Sequence, residues 1–452
     1  MLGIVIPVVA LILLTAIYAY DKLIWAVVFF VPLSIPLDQL VSGLPFNMNL
    51  PTEPLLFGII FVYIFSLLLG KKIGRDITRH PVAIIIYFYL IWMTVTSATS
   101  TLPLVSFKYL LSRIWFIVPF FFLLIYLFRE NQSSIEKFIW IFVLAFVPVI
   151  LYTITRHLGY GLYNDNAAHW VMNPFFKDHT SYGAVLAMYI PFLLGFSFSD
   201  WIEKKYRIWV WGVTALFLAA EVLSYTRAAW LSLFFAAGIW VVIKLKIKFK
   251  TMVIMLISFL LIVFTFQQQI LQELERNSQD SSANLLNHFT SMTNISTDAS
   301  NLERINRWHC AIEMFKEHPL FGWGPGTYAM NYAPYQLTSQ RTIISTNTGD
   351  GGNAHSEYLG ALSESGVLGM ASLVAIIIAV MIIGIRAYSA TADKRLKTLI
   401  LSAIIGLITY YFHGSMNNFL DMDKASIPFW GFTAIIVAID IQLKQQKNAR
   451  GL

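Results

Sequence analysis

Long apolar runs broken by short polar connections dominate the chain. A helix that spans a bilayer needs roughly 20 mostly apolar residues, fewer where flanking groups reach the interface. Runs of that kind occur near residues 3–19, 23–38, 53–70, 81–98, 107–128, 138–155, 181–199, 208–224, 228–243, 251–268, 357–385, 396–412 and 427–443. The pattern predicts an all-α polytopic membrane protein with about 12–13 transmembrane helices. The count turns on the first two runs, which little more than Asp21 and Lys22 separates and which form either a tight hairpin or one broken element. The first run has no basic start and no small-residue cleavage site, so it reads as a retained helix rather than a cleaved signal peptide. Three units follow: residues 1–268 with about ten spans, a large loop over 269–356, and residues 357–452 with about three spans.

Basic residues orient these spans. Lys71, Lys72, Arg75 and Arg79 share one connection, and Arg129 and Lys137 flank another. Lys204, Lys205 and Arg207, then Lys244, Lys246, Lys248 and Lys250, mark two more. Arg386, Lys394, Arg395 and Lys397 make a fifth cluster, and Lys444, Lys447 and Arg450 lie on the tail. The clusters fall on alternate connections, which the positive-inside rule assigns to the cytoplasm. The long connections 156–180, 269–356 and 413–426 are then expected outside, on the periplasmic face of a cell inner membrane.

The 269–356 loop is uneven. Residues 269–300 are polar and poor in aromatics. Ser300 and Glu303 then form the pattern of a capping box at a helix start. Ile305, Trp308, Ile312 and Phe315 recur at helical spacing and predict one apolar stripe, with Arg304 and Arg307 on the polar side. Such a helix either lies on the membrane surface or packs over the bundle. Pro319 ends it, and Gly322-Trp323-Gly324-Pro325-Gly326 follows. That segment lacks a preceding strand and a following GK[ST], so it reads as a rigid turn rather than a phosphate loop.

Composition agrees. Apolar residues make up 57% of the 452 and charged residues 13%, against roughly a quarter charged in soluble domains. Cys310 is the only cysteine, which excludes an intrachain disulfide and a thiolate metal cluster. The net charge of +7 is spread between apolar runs as a topological signal, so nucleic acid is not an expected partner.

Cations on the outer side break the topological rule and need another reason to be there. Arg227 is the sharpest case, lying in Ser224-Tyr225-Thr226-Arg227 between two apolar runs. Its planar fork pairs bidentately with phosphate oxygens, whereas the plainer alternative is an arginine that snorkels at a hairpin. Arg113, about two turns into its span, is open between the same readings, and Lys108 reads as an interface anchor. His355, in Asn353-Ala354-His355-Ser356-Glu357-Tyr358, suits proton transfer near neutrality or merely caps the next helix. His179 and His413 have weaker claims. No spacing resembles a metal signature, so neither a catalytic metal nor another cofactor is expected.

Three segments read together are more specific. Ser224–Leu231 (SYTRAAWL), Leu302–Tyr328 (LERINRWHCAIEMFKEHPLFGWGPGTY) and Asn353–Met370 (NAHSEYLGALSESGVLGM) follow in that order. The arrangement resembles the O-antigen ligase and polymerase superfamily, and is most like an O-antigen ligase. The resemblance implies a GT-C-like fold of many helices with its site in a periplasmic loop. It also implies a donor glycan linked to undecaprenyl diphosphate and an acceptor hydroxyl on lipid A core, with a second carrier-linked glycan as acceptor in a polymerase. It assigns Arg227 and Arg304 to the diphosphate and His355 to the essential histidine. Arg307, Arg113, Lys177, His179 and Glu357 complete the candidate substrate-binding set, with Glu357 expected to orient the imidazole. One position departs: the family's histidine is usually followed by asparagine, and here Ser356 supplies a hydroxyl but no amide. The rival from another class is a membrane transporter of a small anion, which would need charges near the bilayer midplane and paired broken helices.

Overall fold

The computed structural model describes residues 20–39, 48–68, 74–246, 299–337 and 352–449. The expected spans at 3–19 and 251–268, the polar stretch 269–298, Lys71, Lys72, Lys248, Lys250, Arg450 and the Ser300 side chain lie outside the described residues. The described chain is almost wholly helical. In order it forms α1 (Tyr20–Phe30), α2 (Thr52–Leu68), α3 (Pro81–Ala98), α4 (Pro103–Glu130), α5 (Ser133–Tyr160), α6 (His179–Ser197), α7 (Lys204–Leu223), α8 (Arg227–Lys244), α9 (Ala299–Glu317), α10 (Glu357–Ala390), α11 (Lys394–His413) and α12 (Asp423–Ala449). Nine of these described helices, α3 to α8 and α10 to α12, are long and apolar enough to cross a membrane.

Local chemistry sets the ends. Pro81 occupies the first turn of α3, where its missing N–H costs nothing. Asp178 and Asp393 cap α6 and α11 by accepting backbone N–H groups of Ser181 at 2.7 Å and Arg395 at 2.7 Å. Pro119 cannot continue an ordinary α ladder, and α4 widens there into a π turn over Val118–Leu123. The apolar run 23–38 is not one continuous helix. It stops at Phe30, runs through a turn at Val31–Leu33, and then pairs Ile35 with Leu50 in a two-residue antiparallel ladder.

The core lies between α6, α11 and α12, while α7 and α8 are peripheral. Gly195 and Gly406 let α6 and α11 approach closely: a Cβ would lie 2.7 Å from Ser402 Oγ and 2.5 Å from Met188 O, respectively.

Polar contacts sort the bundle into two ends. At one, Asp440 binds His80 at 3.2 Å, Arg386 at 2.8 Å and Lys444 at 2.7 Å, and Asp76 binds Arg129 at 2.6 Å. At the other, Thr101 donates to the Trp323 carbonyl, Tyr225 to that of Leu162 and the Glu357 amide to that of Gly414. The described basic clusters all fall at the Asp440 end, as their alternation along the chain requires. If that end is cytoplasmic, cysteines placed at Ser133 and Tyr163 react oppositely with an impermeant maleimide, Tyr163→Cys from outside. Equal labelling would remove the assigned orientation.

The loop helix α9 differs from its expected setting. The residues it buries are Glu303, Asn306, Arg307, Cys310, Ala311 and Met314, while Ile312 is 40% exposed. The inward stripe is thus rotated from Ile305, Trp308, Ile312 and Phe315. Glu303 and Arg307 pair at 2.6 Å and the guanidinium sits 3.8 Å above the Tyr332 ring, which lets charge enter the packed face. Cys310, Ala311, Met314, Tyr328, Tyr332 and Ala354 form a small core of their own beneath it.

The span predicted at 357–385 is broken. Gly366 has φ 69° and ψ −171°, so residues 357–365 and 367–390 are separate helical segments. The glycine-rich turn docks into this break. Trp323 and Gly324 donate to the carbonyls of Ser363 and Glu364 at 3.0 and 2.8 Å, and Val367 donates to that of Pro319 at 2.9 Å. A Cβ on Gly366 would lie 1.9 Å from the Leu320 carbonyl oxygen. The turn is therefore a structural joint that fixes α9 to α10.

Candidate active site

Four of the proposed residues converge at the end of the bundle opposite Asp440. Arg227 is the first residue of α8, half-buried, behind a short reversal in which Tyr225 has φ 51°. Thr226 donates to the His179 carbonyl at 2.7 Å. A Cβ on Gly183 would approach Thr226 Cβ at 2.8 Å, so the small residue lets the reversal close onto α6. Arg227 thereby lies within electrostatic reach of His179, whose ring stacks on His169 at 4.2 Å. Arg304, on α9, lies within electrostatic reach of His179, His355 and His413. A helix N-terminus carries partial positive charge, so Arg227 at the start of α8 adds to a field that favours an anion.

His355 is held on several sides. Its φ of 47° is uncommon outside glycine, and two bonds fix that backbone. Its N–H donates to Asn353 Oδ1 at 3.0 Å, and its carbonyl accepts from Trp308 Nε1 at 3.1 Å. The helix cap is a different residue: Ser356 Oγ accepts from the Leu359 N–H at 3.3 Å. Asn417 lies within electrostatic reach of the imidazole. Burial, and then the Arg304 and Arg307 charges, push its pKa down to about 4. At neutral pH the ring is therefore uncharged and can accept a proton.

The other candidates are engaged with other partners. Arg307 is 3% exposed and is committed to Glu303 and Tyr332. Arg113 is 4% exposed and binds the Leu420 carbonyl and the Tyr109 hydroxyl. Glu357 does not orient His355. Its Oε1 accepts from Tyr410 OH at 2.7 Å and from the Phe419 and Leu420 N–H groups at 2.8 Å each, which clamps the 413–426 connection. Lys177 is exposed and interacts with the exposed Asp421. Arg113, Glu357, Tyr109, Glu364 and Asn418 line a narrow open cleft that reaches Ser356, beside the histidine.

Sequence reasoning missed Asn417. It is an amide in a short loop with no motif around it, and only the fold brings it to His355. Among the described residues, no three His, Cys, Asp or Glu side chains are grouped so as to hold a metal ion.

Taken together, the fold and site define a polytopic helical membrane protein with a cationic, histidine-bearing site at one end. Residues 212–374 match the family model described as O-antigen ligase. That segment contains Arg227, Arg304, Arg307, His355 and Glu357 and is similar to O-antigen ligases. No protein of curated function matches the chain.

Proposed function

We propose that the protein is an O-antigen ligase-type enzyme that moves a glycan from undecaprenyl diphosphate to a hydroxyl of lipid A core. The reaction takes place at the periplasmic face of the inner membrane. The observation that carries this reading is the convergence of Arg227, Arg304 and His355 at one end of the bundle. Arg227 and Arg304 hold the carrier diphosphate, with His179 and Lys177 at its margin. The acceptor approaches through the cleft lined by Arg113 and Glu357.

In the transfer step, the acceptor hydroxyl oxygen attacks the anomeric carbon and His355 takes its proton. The bond from that carbon to the diphosphate oxygen breaks, and its electron pair leaves with the diphosphate. The two guanidinium groups stabilise this growing charge at a membrane boundary of low dielectric, so the step needs no metal. One displacement inverts the anomeric centre. Burial and then the Arg304 charge hold down the His355 pKa in the free protein; a bound diphosphate offsets the Arg304 part and makes the imidazole a stronger base when the donor is in place.

A glycan ladder profile of a strain lacking the protein tests this reading. Lipid A core without glycan, with carrier-linked polymer retained, is the expected result. Collapse to single repeats would make the protein a polymerase, which differs in acceptor. An unchanged ladder would contradict both.

A further inference from the structure

We propose that Glu364 and Asn418 read the acceptor: in the cleft beside His355 they bind hydroxyl groups that neighbour the attacking one on the acceptor glycan. This rests on the transfer reaction proposed above. Glu357, Gly360, Ala361 and Glu364 fall at i, i+3, i+4 and i+7 on the first segment of α10. One helix face therefore carries a carboxylate at each end and small residues between, and all four residues line the cleft. Seven helical residues set the two carboxylates about 10 Å apart along the axis. Arg113 of α4 and Asn418 of the 413–426 connection also line it. The space inside is about 30 Å³. A water-sized group needs at least about 10–15 Å³, so the cleft takes about two hydroxyls while the sugar ring that carries them stays at its mouth.

Hydrogen-bond accounting favours hydroxyls over phosphate. A carboxylate offers about four acceptor sites. The N–H groups of Tyr328, at 3.0 Å, and Gly326 occupy Glu364 from the loop side, which leaves about half its capacity. Asn418 Oδ1 is shut from water without a partner among the described residues. Buried polar atoms are rarely left so, and the soft terminal torsion of asparagine lets the amide turn either pole to a ligand. The end nitrogens of Arg113 are already committed to the Leu420 carbonyl and the Tyr109 hydroxyl. A hydroxyl both donates and accepts, so it can bridge Glu364 and Asn418. A phosphate brings acceptor oxygens only and would set them against Glu357 and Glu364. Phosphate thus belongs with Arg227 and Arg304, and the polyol part of the acceptor with this cleft.

The test uses purified full-length protein in nanodiscs, with carrier-linked donor and lipid A core acceptor. Glu364→Gln keeps a carbonyl oxygen for the Tyr328 N–H and removes the charge. Its kcat/KM for the acceptor should fall about 10–100-fold, the loss of a hydrogen bond to a charged group, with the donor KM within about twofold of wild type. Asn418→Leu keeps the size, removes both poles and should cost about 3–10-fold. Acceptors that lack single hydroxyls beside the attacking one give a readout that a purely structural role would not move. At least one deletion should cost the wild type about 10-fold or more and Glu364→Gln less than twofold, because the partner is already gone. Deletions that cost variant and wild type equally would overturn the proposal, as would wild-type acceptor kcat/KM in both variants. A raised donor KM with acceptor KM unchanged would overturn it too, by seating the carrier-linked glycan in the cleft. If Glu364→Gln fails to fold, the same comparison in Asn418→Leu decides. Wild-type protein that transfers nothing to lipid A core would sink the transfer reading itself and this proposal with it, a result distinct from all of these.

Discussion

Arg227→Ala and Arg304→Ala are each expected to lower kcat/KM for the carrier-linked donor by about 10²–10³-fold, the range seen when one donor to a developing oxyanion is removed. Membrane insertion and thermal unfolding should stay near wild type, since both side chains are only half-buried. The lysine variants discriminate further. A lysine keeps the charge but presents a point where arginine presents a planar fork, so Arg→Lys should already slow turnover. Full activity in either lysine variant would leave snorkelling as the better account of that residue. Arg307 gives the contrast. Removing it takes away the 2.6 Å partner of buried Glu303 and the cation stacked on Tyr332. Breaking such a buried pair costs about 3–5 kcal/mol, so Arg307→Ala should appear first in stability and only then in rate.

Much of the frame was legible in the sequence. The 81–98 span matches α3 to the residue, because Pro81 and a uniform apolar run leave the helix little choice. The alternation of Arg75, Arg129, Lys204, Lys244, Arg386 and Lys444 is likewise a chain-level signal that survives folding. The breaks were less visible. Nothing in Ser365-Gly366-Val367 separates a tolerated helical glycine from a reversal; the Leu320 carbonyl, 46 residues earlier, decides it.

The α9 helix shows where periodicity misleads. Two stripes have helical spacing, and hydropathy favours the one with Ile305, Trp308, Ile312 and Phe315. The fold buries the other, because Cys310, Ala311 and Met314 suit close packing and Glu303 with Arg307 neutralise each other inside it. The site was half legible for a related reason. Arginines and histidines out of place announce themselves, whereas the role of Glu357 depends on the N–H groups of Phe419 and Leu420, more than 60 residues away. Asn417 had no local signal at all.

The central claim is that His355 takes the acceptor proton, and the direct measurement compares donor binding with glycan transfer in His355→Asn. Asparagine can hydrogen-bond and can cap a helix, but it does not accept a proton near neutral pH. Ser356 already caps α10, so capping gives the substitution no route to rescue. General-base help is typically worth about 10²–10⁴-fold, and transfer by His355→Asn should fall by that factor while Arg227 and Arg304 still retain the carrier-linked donor. In the wild type, the proton-free imidazole is the active form, so rate is present above the His355 pKa and lost as pH falls through it. That limb starts from about 4 in the free protein and should lie higher in kcat than in kcat/KM, because a bound diphosphate offsets the Arg304 charge. Donor bound with transfer lost is the predicted result; transfer at the wild-type rate in His355→Asn would contradict the account.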